Sequence, residues 1–224
     1  MKMFRRIVVA LVIVAAVSIL IERLLTDPDT PLPRAWNPME PLDVSASPNI
    51  LTPLKLSRAV RMPERCYAAL ETSRSRFEIL PDLEASNSAC GISAQVRLTS
   101  VGPSLNRPLN TTCETALRLA MWAEHGLEDV IGIDHIGSYS CRAMRTSRGS
   151  AGRMSTHATA EAVDIVALRF ADGRRLSLID DWGEELQGVR DSACDWFRVV
   201  LSPDYNALHR DHFHLQNRGW ELCR

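Results

Sequence analysis

This 224-residue sequence lacks an excess of charge of either sign, and aromatic residues are few. Lys and Arg total 26 against 27 Asp and Glu, a formal net charge of −1. That balance gives no support to bulk nucleic-acid binding, which needs a basic footprint. Aromatics make up 6% of the chain, and no base-stacking platform is visible. A G-x-x-x-x-G-K-S/T phosphate loop, an H-E-x-x-H helix and a G-x-S-x-G elbow are all absent. Their absence removes three common catalytic signatures. There is no C-x-x-C pair and no internal repeat.

The six cysteines are Cys66, Cys90, Cys113, Cys141, Cys194 and Cys223. An even number without metal-type spacing favours disulfides in an oxidising compartment over a thiolate metal site or a cysteine nucleophile. Six cysteines allow fifteen pairings. Sequence neighbours suggest Cys66–Cys90, Cys113–Cys141 and Cys194–Cys223, the last tying down the end of the chain.

One long hydrophobic run is present. Lys2, Arg5 and Arg6 precede Ile7–Ile21, and Glu22 and Arg23 follow. This order suits a signal peptide or, preferably, an uncleaved anchor spanning roughly residues 7–25, because no clean small-residue cleavage site follows the run. The basic flank would stay in the cytoplasm and the remainder would be exported. The expected location is the bacterial inner membrane, with one pass and the C-terminal domain in the periplasm. Three units are expected: a signal anchor or signal peptide at 1–25, a linker at 26–53 and a folded domain at 54–224. The linker holds seven of the twelve prolines. Such a segment is extended and has little to bury.

Within the domain, Glu64–Thr72 reads as a helix. Gln95–Val101, Val130–Ser140 and Ala162–Leu168 read as strands. Thr111 and Glu114 match a capping box ahead of a helix that Gly126 would stop. Asp172-Gly173 is a hairpin signal between Ala162–Leu168 and Arg174–Ile179. Apolar spacing over Glu184–Leu201 predicts a helix, and Asp211–Gln216 a last strand. The fold class is α+β.

Four of the six histidines fall in two short stretches, THATAEAVD at Thr156–Asp164 and HRDHFHL at His209–Leu215. Strand alternation puts His212 and His214 on one face. Asp164 interrupts the apolar run AVDIVAL, and a buried carboxylate needs a partner. A metal ion is one such partner; an arginine, a lysine or a backbone cap is another. His157, Asp164 and His214 together suggest zinc, since three protein ligands and a water form the open geometry of catalytic zinc. Taken singly, each is equally compatible with a turn, a satisfied core histidine or an ion pair. His125 and His135 are expected to be structural.

These stretches carry a resemblance. Ser155, His157, Ala162 and Asp164 fit the S-x-H-x-x-G-x-A-x-D motif of the zinc D-alanyl-D-alanine peptidase superfamily, whose fold the Hedgehog signalling domain shares. Ala160 stands at the motif glycine. His209, His212 and His214 resemble the closing H-x-x-H-x-H of its murein endopeptidase branch. The span Cys66–Cys223, with GSYSCR at Gly137–Arg142, DGR at Asp172–Arg174, Asp181-Trp182 and PDYNALHRDHFHL, resembles the extensin-like C-terminal domain family of that superfamily. The resemblance implies an antiparallel sheet with flanking helices and zinc held by His157, Asp164 and His214. It implies His212 as general base, with Asp211 at the position where the peptidase branch has Glu. Arg142 would bind substrate and Ser155 would bind it or support the site, with His209 orienting a neighbour. The expected activity is hydrolysis of peptidoglycan peptide bonds by an exported protein. The alternative is a non-catalytic envelope module that binds peptidoglycan or a partner.

Overall fold

A computed structural model describes residues 2–27, 32–146 and 149–224. In chain order its elements are α1 (Lys2–Thr26), α2 (Thr52–Ala59), α3 (Pro63–Glu71), β1 (Ser75–Ile79), β2 (Leu83–Glu84) and β3 (Gly91–Ile92). There follow β4 (Gln95–Val101), β5 (Ser104–Thr112), α4 (Cys113–His125), β6 (Val130–Gly137), β7 (Ala143–Thr146) and β8 (Gly149–Met154). The chain continues with β9 (Ala162–Phe170), β10 (Arg175–Ser177), α5 (Glu184–Cys194), β11 (Val199–Leu201), β12 (Phe213–Gln216) and β13 (Leu222–Cys223). The class is α+β: a nine-stranded, mostly antiparallel sheet with flanking helices.

Strand order is β1-β4-β5-β6-β9-β12-β11-β13, with β10 beside the end of β9. β9 is therefore central. Its apolar side chains Val163 and Ile165 join Phe213 and Leu215 of β12 in the core, and all four are at most 1% exposed. Residues of opposite parity on these strands, Asp164 and His214, stand on the other face. The core's helical side is α4, whose Leu117, Leu119, Met121 and Trp122 are buried. The Trp122 indole N–H donates to Ser192 Oγ at 2.9 Å, so burial leaves no polar atom stranded. Gly126 caps α4, as expected. The helix begins one residue later than the capping-box reading. Thr112 is the N-cap and accepts from the Thr115 N–H, while Thr111 is drawn inward by another partner.

α1 is 25 residues long and contains an 18-residue stretch of mean hydropathy 2.6, long and apolar enough to cross a membrane. Residues 32–53 differ from the extended linker expected of them; Pro28 and Pro31 lie outside the described residues. Leu42 and Val44 are buried in the core. The Val44 N–H donates to Thr72 Oγ1 at 2.8 Å, and its carbonyl accepts from His125 Nε2 at 2.8 Å. Prolines keep most of this segment out of strands and long helices but do not prevent packing, and a 3-10 turn at Arg34–Trp36 stands within it.

The predicted helix over Glu184–Leu201 is also shorter. α5 stops at Cys194, and Val199–Leu201 becomes β11, where Val200 pairs with Leu215 and Leu201 with His214. β-branched Val199 and Val200 suit a pleated strand better than a last helical turn.

Of the three expected disulfides only Cys194–Cys223 is present; the others are Cys66–Cys113 and Cys90–Cys141. Proximity in sequence misled because α3 packs on the start of α4, which puts Cys66 against Cys113. Cys141 follows β6 and meets the loop before β3. The corrected bridges close loops 47 and 51 residues apart in sequence. In the chain-entropy account such loops contribute about 4 kcal/mol each. Non-reducing proteolysis with mass spectrometry should recover linked Cys66–Cys113 and Cys90–Cys141 peptides and no Cys66–Cys90 peptide.

Candidate metal centre

Three elements converge at the centre. Asp164 comes from β9 and His214 lies directly opposite it on β12. His157 comes from a short 3-10 helix, Thr156–Thr159, that enters β9. Ser155 starts this helix: its Oγ accepts from the His157 N–H at 3.3 Å. Ala160 ends it in the left-handed conformation, φ 53° and ψ 30°. That region costs an L-residue roughly 1–2 kcal/mol, so glycine would adopt this turn more easily than alanine. The turn is over-determined. The Ala160 carbonyl accepts from the hydroxyls of Thr111 at 2.9 Å and Thr115 at 3.0 Å. Alanine is thereby held where glycine would go of its own accord.

The chemistry follows from where the protons must be. His157 Nδ1 is 2.7 Å from the Ser138 carbonyl, which can only accept, so Nδ1 carries the hydrogen and Nε2 the lone pair. His214 Nε2 is 2.9 Å from Gln216 Oε1. The Gln216 amide is itself fixed, because its Nε2 donates to the Arg218 carbonyl at 2.6 Å and its Oε1 also accepts from Thr156. His214 Nε2 therefore donates, and its Nδ1 presents a lone pair. His157 Nε2 lies 3.1 Å from Asp164 Oδ1 and 3.1 Å from His214 Nδ1, and His214 Nδ1 lies 2.9 Å from Asp164 Oδ1. With neutral imidazoles, two lone pairs and a carboxylate oxygen face one another with no hydrogen between them. Such a trio calls for a cation, either a metal ion or an extra proton on an imidazole. Donor atoms bound tetrahedrally at about 2.0–2.1 Å are about 3.3 Å apart, so the trio already has nearly the spacing of metal ligands. These three side chains form a group able to hold a metal ion.

Burial works to raise the Asp164 carboxyl, but once an imidazole of His157 or His214 takes the extra proton, its hydrogen bond and positive charge outweigh burial and hold the group well below the usual carboxylate range. Asp164 is an anion at any ordinary pH, as a ligand must be.

His212 just precedes β12, one residue outside the strand. It still turns toward the centre, with Nε2 3.8 Å from Asp164 Oδ1. Its Nδ1 is 2.8 Å from Asp211 Oδ1, so Nδ1–H donates to the carboxylate and Nε2 is left free to accept. Asp211 thus meets the centre only through His212. The His209 ring is 5.2 Å from that of His212 and 5.8 Å from that of His214. Burial, then the neighbouring imidazoles, push His209 down to about 4, so it is neutral near pH 7. Its Nδ1 is held at 2.9 Å by Asn206 Oδ1. Arg142 reaches the region through its backbone: its carbonyl accepts from the Ser155 N–H at 3.0 Å, and its guanidinium contacts the Ala143 carbonyl. His125 and His135 lie elsewhere, donating to the Val44 and Arg107 carbonyls.

Sequence reasoning missed Ser138 and Gln216. Ser138 orients His157 through its main-chain carbonyl, which no side-chain pattern reveals. Gln216 was open to detection, because it lies two residues past His214 and period-two alternation puts it on the same face.

Gln216→Leu removes the acceptor that fixes the His214 tautomer and should weaken metal binding about 10–100-fold. His157→Ala should abolish it. Zinc titration of the folded domain, with circular dichroism as the folding control, measures both.

No curated protein and no solved structure matches this chain. Residues 64–224 match the family described as Extensin-like protein C-terminus, a span holding β1 to β13 and the whole His157–Asp164–His214 centre. The chain belongs to that extensin-like C-terminal family.

Proposed function

We propose that the domain is a zinc-dependent hydrolase of peptide bonds in bacterial peptidoglycan, on the plan of the D-alanyl-D-alanine peptidase and Hedgehog-type superfamily. We place it in the periplasm, held to the inner membrane by α1. The observation that carries the reading is the convergence of two imidazole lone pairs and one carboxylate oxygen, with a third imidazole, His212, oriented toward the same point.

The donor set fits zinc. Nitrogen and carboxylate ligands suit a borderline cation, and three of them leave one coordination position open. When bound, zinc supplies a Lewis acid and a water acidified to near neutrality. The protein's own groups do the rest. His212 Nε2 accepts the proton of the attacking water. Asp211, hydrogen-bonded to Nδ1, keeps the ring in the accepting tautomer and stabilises the imidazolium that forms. His212 then returns the proton to the departing amine. Asp211 is too short and too exposed to replace His212 as the base, and it serves better as its anchor. Ser138 and Gln216 hold the two histidine ligands in register. Arg142, its backbone pinned to Ser155, would pair with a substrate carboxylate.

The reading separates from that of a binding module by what happens to a peptide. Zinc-loaded chain incubated with purified muropeptides should generate new amine and carboxyl ends. His212→Ala should lower kcat about 10²–10⁴-fold while zinc content is retained, and Asp211→Asn should lower it less. Muropeptides bound but left intact by the zinc-loaded chain would overturn the hydrolase and leave a peptidoglycan-binding module.

A further inference from the structure

α1 ends at Thr26, and its last carbonyls have no partner within the helix. One of them, that of Leu25, accepts from the Asn37 side-chain amide at 2.8 Å. Asn37 is buried, and its Oδ1 also accepts from the Met39 N–H at 2.9 Å. The helix is therefore fastened to the strap by a buried amide rather than left on a free linker. Asn37 follows the 3-10 turn Arg34–Trp36 directly, so the Trp36 Cα lies within about 10 Å of the Leu25 carbonyl. α2 is held beside the same turn. Asn49 donates to the Ala35 carbonyl at 3.1 Å, Lys55 to the Arg34 carbonyl at 2.7 Å and Arg58 to the Pro38 carbonyl at 2.6 Å.

This end of the domain is apolar at its surface. Trp36 is 50% exposed, Met39 65%, Ile50 83% and Leu54 41%. Single exposed hydrophobics are ordinary, but these four are grouped beside the end of a membrane-length helix. Arg34 is exposed and has no ion pair among the described residues. Arg58, also exposed, binds a carbonyl and no carboxylate. The run from Ile7 to Leu25 rises about 28 Å as a helix, close to the ~30 Å of hydrocarbon in a bilayer. Leu25 is thus the residue at which α1 would leave the hydrocarbon, and it is the residue that Asn37 grips.

We propose that this end of the domain beds into the headgroup layer of the bilayer that α1 crosses. The inference rests on the reading of α1 as a membrane anchor and not on the hydrolase reading. The indole of Trp36 takes the interfacial position that suits an amphipathic ring, with Met39, Ile50 and Leu54 turned to the acyl boundary. Arg34 and Arg58 meet lipid phosphates. The metal centre stays clear of lipid. α4 has 13 residues and is about 20 Å long. Thr115 in its first turn donates to the Ala160 carbonyl, at the end of the turn that carries His157. Its last residue, His125, donates to the Val44 carbonyl of the strap. The strap and the centre therefore belong to opposite ends of α4, and lipid on the one leaves the other open.

The test uses the full chain in phosphatidylethanolamine–phosphatidylglycerol vesicles, with part of the lipid brominated near the headgroup end of its acyl chains. Resistance to alkaline carbonate reports insertion of α1, and circular dichroism reports folding. α1 contains no tryptophan, and Trp122 and Trp196 are buried, so quenching by lipid reads the exposed indoles of the domain. The bromines should quench part of the fluorescence of a carbonate-resistant chain. Trp36→Phe should remove roughly half or more of that quenching, and Trp220→Phe should leave most of it. Ile50→Asp combined with Leu54→Asp should reduce it about twofold, with zinc titration unchanged. A carbonate-resistant chain whose Trp36 is not quenched keeps the anchor and overturns the lipid contact, leaving the apolar end to a membrane-embedded protein. Quenching lost in Trp220→Phe and kept in Trp36→Phe overturns it in favour of the opposite orientation. A chain that carbonate extracts has no anchor, and both readings fall.

Discussion

Asp164 is a carboxylate placed in the middle strand of a nine-stranded sheet, and its need for a counter-charge fixes what surrounds it. It lies between core residues Val163 and Ile165, and its side chain is only 14% exposed on the opposite face. An unpaired charge in that position is untenable. Its partners arrive from two directions, His214 across the β9–β12 ladder and His157 from the turn that feeds β9. Slipping β12 by one residue would send His214 into the core and Phe213 to the polar face. The hydrophobic pattern that builds the sheet therefore also enforces the geometry of the centre. Fold stability and ligand placement are one constraint on β12, not two.

The second constraint is the turn at Ala160. Its left-handed backbone is disfavoured for alanine, and hydroxyls at the β5–α4 junction hold its carbonyl in place. Those hydroxyls belong to Thr111 and Thr115, one on the last stretch of β5 and one in the first turn of α4. The same turn places His157 so that its main-chain carbonyl accepts from the Ser140 N–H and its Nδ1 reaches the Ser138 carbonyl. The Cys90–Cys141 bridge then fastens the segment just beyond Ser140 to the rest of the domain. An alanine that looks misplaced at a left-handed turn in one dimension is supported in three.

How far the sequence could be read follows from the range of each interaction. The meeting of His157, Asp164 and His214 was legible because its signal is local chemistry: two histidine clusters and an acidic residue inside an apolar run. β9, the Asp172-Gly173 hairpin and α4 were legible because period and turn residues are short-range properties. The disulfide pairing was not, since Cys66 meets Cys113 only once α3 has docked on α4, and no spacing encodes that docking. The end of α5 was missed because Val199–Leu201 continues a helical period while its β-branched residues answer to β12. The strap at residues 32–53 was missed for a related reason. Proline content reports backbone stiffness, and it says nothing of whether Leu42 and Val44 have a core to enter.

The arrangement of the four clustered histidines also explains why they are not interchangeable. Each has one ring nitrogen committed to a fixed acceptor: a carbonyl for His157, an amide oxygen for His214, a carboxylate for His212 and an amide oxygen for His209. The acceptor decides what the other nitrogen can do. A neutral acceptor leaves a ring suited to ligation, because it does not favour an added proton. A carboxylate favours the charged ring, and so makes its imidazole the readiest of the four to take up a proton. Only His212 is joined to a carboxylate outside the ligand trio, through Asp211. What distinguishes the four rings is thus written in the partners behind them rather than in the histidines themselves.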